Sequence, residues 1–115
     1  MNDKLKQIAD YYGIEIQSVK LAEECAKYSA AGIKALYYMT LSEVNCSAVF
    51  DSDAIYAEHL KARDKSTEEL ADVLLMARQM EYLIDQRPEF REKIDKLMEA
   101  KIERQLKRME EEKAK

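Results

Sequence analysis

The chain has 115 residues with two Gly and one Pro, which is one domain's length with very few chain-reversal residues. That scarcity excludes an antiparallel sheet built on tight turns and a fold that cradles phosphate in Gly-rich loops. With 37% charged and 47% hydrophobic residues and a net charge of −4, the chain is neither disordered nor a basic nucleic-acid binder, so an all-α domain is expected.

The first predicted helix covers roughly 3–12, with Leu5, Ile8 and Ala9 at helical spacing and Gly13 as its C-terminal stop. A longer helix follows over about 14–39. Its apolar positions Ala22, Cys25, Ala26, Ser29, Ile33, Leu36 and Tyr37 step by threes and fours and read as the core face. Residues 40–66 are the least regular stretch and read as an irregular connection, with a short helix from Asp51 or Ser52 to about Ala62. Ser66-Thr67-Glu68-Glu69 has the form of a capping box opening the next helix. Leu70, Val73, Leu74, Ala77, Met80 and Ile84 then form an apolar stripe to about Asp85. Pro88 closes that helix and opens the last one, where its missing N–H costs nothing. Phe90, Ile94, Leu97, Met98, Ile102, Leu106 and Met109 keep helical spacing, and 110–115 read as a frayed charged tail.

No apolar run approaches the roughly 18 residues of a membrane span. The N-terminal residues are polar rather than signal-like. Cys25 and Cys46 read as free thiols, Cys25 as a small core residue. The expected location is cytoplasmic, with no membrane or nucleic-acid partner.

The chemistry concentrates on two helices. Lys20, Glu24 and Lys27 share one face of the second helix, with Glu23 on its shoulder. Glu69 and Asp72 share a face of the next helix, beside its apolar stripe. When two such helices pack antiparallel, their carboxylates can converge and offer oxygen ligands to a hard divalent cation.

Lys20-Leu-Ala-Glu-Glu-Cys-Ala-Lys27, followed by Glu68-Glu-Leu-Ala-Asp-Val-Leu-Leu-Met76, resembles the MazG-like all-α nucleoside triphosphate pyrophosphohydrolases. The lead-in Tyr12-Gly-Ile-Glu-Ile-Gln17 and the basic stretch Lys101-Ile-Glu-Arg-Gln-Leu-Lys-Arg108 also resemble that family, so the likeness spans most of 8–108 and suits a small single-domain, phage-type member. It implies a four-helix bundle over 1–109, completed by a second copy as a dimer or tetramer. It implies hydrolysis of an NTP or dNTP to the monophosphate and pyrophosphate, with Mg²⁺ or Mn²⁺ as cofactor. Carried over by position, the metal ligands are Glu24, Glu69 and Asp72. Glu23 supports the ligands from outside or helps orient water, and Lys20 contacts phosphate. Lys101 and Arg104 supply substrate-binding cations. Tyr28 is the candidate for nucleobase contact.

One position departs from the family pattern. Lys27 stands where the family has a third Glu, and an ammonium has no lone pair to offer a metal. Lys27 either pairs with Glu24, Glu69 or Asp72 and neutralises the site, or swings away on its stem and leaves three carboxylates for one ion. The first posture implies a catalytically inactive homologue acting as a nucleotide-binding or oligomerisation module. The second implies an enzyme with a reduced metal site.

Overall fold

The computed structural model describes residues 2–44 and 52–115, with side chains described for 2–41 and 53–115. The fold is all-α. The described residues form three helices: α1 (Asn2–Val44), α2 (Ser52–Asp85) and α3 (Pro88–Lys113).

Gly13 is where the expected break falls. Its φ of 82° and ψ of 169° are non-helical, and helices meet on either side of it as a kink within α1. That conformation is essentially restricted to glycine, because a Cβ would clash with the neighbouring carbonyl. Ser66 and Thr67 do not open a helix. They lie inside α2, and the Thr67 hydroxyl donates back to the Arg63 carbonyl at 3.0 Å. The stretch read as an irregular connection is therefore helical over 40–44 and 52–66, while 45–51, with Cys46, lie outside the described residues. The tail read as frayed is helical to Lys113, and Ala114 N–H donates to the Glu110 carbonyl. Two helices expected over 52–85 are thus one.

α1 and α2 form a long antiparallel hairpin. The less exposed positions of α2 include Ile55, His59, Ala62, Ser66, Glu69, Val73, Met76, Met80 and Leu83, alternating steps of four and three, with buried Gln79 beside them. On α1 beyond the kink they include Gln17, Leu21, Glu24, Tyr28, Ala31, Ala35 and Tyr38, in the same rhythm. This is the spacing of a two-stranded coiled-coil seam. A small cluster of Ala9, Ile14 and Leu83, flanked by Met80, Tyr82 and Ile84, closes the end where the kink lies. There the Tyr82 hydroxyl donates to the Asp10 carboxylate at 2.8 Å. Within the seam, the buried Gln17 amide donates to the Gln79 side-chain oxygen.

The seam is not the face that apolarity marks. Ala22, Cys25, Ala26, Ser29, Ile33, Leu36 and Tyr37 are all exposed in the single chain. Ile33 is 69% exposed and Leu36 58%, so Cys25 and its neighbours line an outer stripe rather than a core. The reason is geometric: that stripe lies on the side of α1 opposite the seam.

α3 turns back from α2 at Arg87–Pro88, with Pro88 at the start of the helix. Arg91 anchors the corner. Its guanidinium reaches Glu81 at 2.7 Å and Asp85 at 3.6 Å on α2, and Asp95 on α3. No residue of α3 is buried, and among the described residues α3 does not touch α1. Among the described residues one chain supplies three helices, not the four of the expected bundle.

Candidate metal centre

Two carboxylates occupy seam positions that an apolar side chain would ordinarily fill. Glu24 stands between Leu21 and Tyr28 on α1, and Glu69 between Ser66 and Val73 on α2. The antiparallel pairing sets them against each other and brings Asp72, one turn on from Glu69, to the same point. One carboxylate oxygen from each of Glu24, Glu69 and Asp72 lies within 4.8 Å of the others. Glu69 is 8% exposed, and the Glu24 side chain is 17% exposed; Asp72 lies open to solvent.

Glu24 and Glu69 each have one satisfied oxygen and one orphan. Lys27 Nζ lies 3.4 Å from Glu24 Oε1, and Lys65 Nζ lies 3.1 Å from Glu69 Oε1. Glu24 Oε2 and Glu69 Oε2 are buried with no hydrogen-bond partner. An unpaired buried carboxylate oxygen is costly, and a hard cation that takes oxygen ligands removes that cost. The donor set therefore fits a divalent ion such as Mg²⁺ or Mn²⁺.

Lys27 adopts a posture between the two expected ones. It pairs with Glu24, yet its side chain is 60% exposed and leaves the second oxygen free. Lys65 was not singled out from sequence. It precedes Glu69 by one turn, and such i,i+4 pairs are common enough on helices to carry no signal by themselves. The Glu69 carboxylate that accepts its hydrogen bond holds the Lys65 ammonium above the usual lysine range.

The other predicted residues fall in separate places. Lys20 and Glu23 are exposed on α1 beside the triad. Tyr28 is half-buried and lines an open groove of about 300 Å³ with Gly32, Leu36, Arg63, Thr67 and Leu70. His59 closes that groove, its Nδ1 3.2 Å from the Ala35 carbonyl. Lys101 and Arg104 are exposed on α3, and because α3 does not touch α1 they are not brought to Glu24 within one chain. No helix of the described residues is long and apolar enough to cross a membrane. Neither protein-family models nor curated proteins nor solved structures give a match to this chain.

Proposed function

We propose that the chain is a Mg²⁺-dependent nucleoside triphosphate pyrophosphohydrolase of the MazG-like kind, working as a homo-oligomer. The observation that carries this reading is the acid triad, in which half-buried Glu24 and buried Glu69 each keep an unpartnered oxygen beside Asp72. A purely structural seam has no use for such oxygens. The ordered motifs on α1 and α2 supply the reaction class by resemblance.

Glu24, Glu69 and Asp72 would hold the ion. Bound there, it would neutralise phosphate oxygens and lower the pKa of a coordinated water. The chain's own groups do the rest. Glu23, exposed beside Glu24, accepts a hydrogen bond from water and orients it. Lys20, Lys27 and Lys65 stand as ammonium donors around the acids, where they stabilise charge developing on the leaving pyrophosphate. Lys27 is a phosphate contact rather than a ligand in this reading, and the triad suffices for one ion.

The test is pyrophosphate release from a panel of NTPs and dNTPs with Mg²⁺ or Mn²⁺. Turnover that disappears in Glu69→Gln is the expected result; no turnover with any substrate overturns the enzymatic reading. Lys27→Glu separates the two forms of the proposal. With Lys27 as a phosphate contact, the variant binds metal more tightly but turns over more slowly. Activity gained by that variant would mark the native chain as an inactive homologue that binds nucleotide.

A further inference from the structure

Two edges flank the α1–α2 seam, and they differ in chemistry. One carries the Tyr28 groove. On the other, Lys20, Lys27 and Lys34 recur every seven residues along α1, and Lys61, Lys65 and Asp72 follow at steps of four and seven along α2. Exposed Asp72 marks this as the edge on which the triad opens. A separate cavity of about 240 Å³ lies on the same edge, lined by Ala31, Lys34, Glu58, Lys61, Ala62 and Lys65. Lys65 belongs to both places: it bonds Glu69 of the triad and lines the cavity. The floor is alanine from both helices, and three lysines rim it against one glutamate.

Lys61 reaches Glu58 at 3.3 Å, with both side chains largely exposed, a pairing weak enough for an anion to displace. Lys34 has no acidic partner among the described residues. A narrow trough with small side chains below and flexible ammonium groups above suits a linear chain of phosphates. It offers little to a planar base, for which it has no aromatic wall.

We infer that this lysine trough holds the phosphate chain of the substrate, with Lys34, Lys61 and Lys65 contacting the phosphates leading away from the triad. The inference deepens the proposed function and rests on it for the position of the bond cleaved. It assigns the terminal phosphates to the α1–α2 edge of the same chain, and so makes them independent of Lys101 and Arg104.

The experiment is calorimetric titration of the full chain with inorganic tripolyphosphate, with and without Mn²⁺, at low and moderate salt. The native chain should bind tripolyphosphate without metal, more weakly as salt rises. The double substitution Lys34→Met and Lys61→Met should weaken that binding about a hundredfold, roughly tenfold for each charge-assisted contact removed. Mn²⁺ uptake should be unchanged, since neither lysine touches the triad. Equal tripolyphosphate affinity in the double variant, or no binding by the native chain, overturns the inference. Tighter binding of an oligonucleotide through the same lysines also overturns it. The two readings fail separately. Lysine-dependent tripolyphosphate binding without Mn²⁺ uptake sinks the metal reading and leaves the trough. Mn²⁺ uptake abolished by Glu69→Gln, with lysine-independent tripolyphosphate binding, does the reverse.

Discussion

Glu24 and Glu69 each bury an oxygen that nothing in the chain satisfies. Groups of this kind cost about 1–3 kcal/mol each when neutral and more when charged, so a cation that satisfies both must stabilise the fold. Mg²⁺ or Mn²⁺ is expected to raise the melting temperature in proportion to the logarithm of its concentration. At a hundred times its dissociation constant the gain is about 2.7 kcal/mol. Scanning calorimetry of Glu69→Gln should show that increment lost. A second residue-scale prediction concerns Tyr82, whose hydroxyl donates to Asp10 and whose phenol is thereby held above its usual range. The raised value means that the folded state binds the phenolic proton more tightly than the unfolded chain. The stabilisation is therefore complete below the unfolded tyrosine value of about 10, and is lost as pH climbs through the raised folded value. Tyr82→Phe should melt roughly 2–5 °C lower at neutral pH and show a shallower decline than the native chain as pH rises above about 10.

At the scale of helices, the two glycines of this chain act with opposite sign. Gly13 holds a backbone conformation that other residues avoid, so Gly13→Ala should cost about 1–3 kcal/mol in urea unfolding. Gly32 is helical, and a Cβ added there would meet Ser66 Oγ at 3.9 Å, an ordinary contact. Gly32→Ala should therefore stabilise by up to about 1 kcal/mol. The break at Gly13 and the start at Pro88 were legible in sequence because both residues act through their own backbone. The triad was legible as well, since two helical spacings that each put acids on one face need only antiparallel packing to converge. The inward face of α1 was not legible. Periodicity reports which face is apolar, and on α1 the more apolar face is the outer one, because Gln17 and Glu24 occupy the seam. Ser66 misled for a related reason: its place in the seam makes it a packing residue, so the Glu three positions on had no cap to complete.

For the whole molecule, surface area is the informative quantity. A compact monomer of 13.4 kDa exposes about 6,500 Å², whereas this chain exposes 9058 Å² over extents of 60 × 44 × 21 Å. A helix with its side chains is about 10–12 Å across, so the shortest dimension is two helices thick. The excess is apolar in part: Ile33, Leu36 and Tyr37 on α1, and Leu97, Ile102 and Leu106 on α3, are each between 48% and 69% exposed. A stable obligate interface buries at least about 2,000 Å² in total, and the excess of each chain is enough to supply it. Light scattering at micromolar concentration should return at least twice the chain mass. Ile33→Glu, which leaves both the seam and the Tyr28 groove untouched, should shift the protein toward monomer and lower its melting temperature by a few °C.

The buried amide pair of Gln17 and Gln79 has a consequence for the phase of the hairpin. A seam of alternating threes and fours is nearly periodic under a translation of seven residues, so its apolar rungs would mesh almost as well if α1 slid one heptad along α2. The amides break that symmetry. After such a slide Gln17 would stand level with Asp72 or Gln86 and Gln79 with Glu24 or Asp10, so the buried amide pair is broken, and an amide left without a new partner costs about 1–3 kcal/mol. The pair thus acts like the notch on a vernier. It selects one alignment among several that hydrophobicity leaves nearly degenerate, and that alignment is the one in which Glu24 lies level with Glu69 and Asp72.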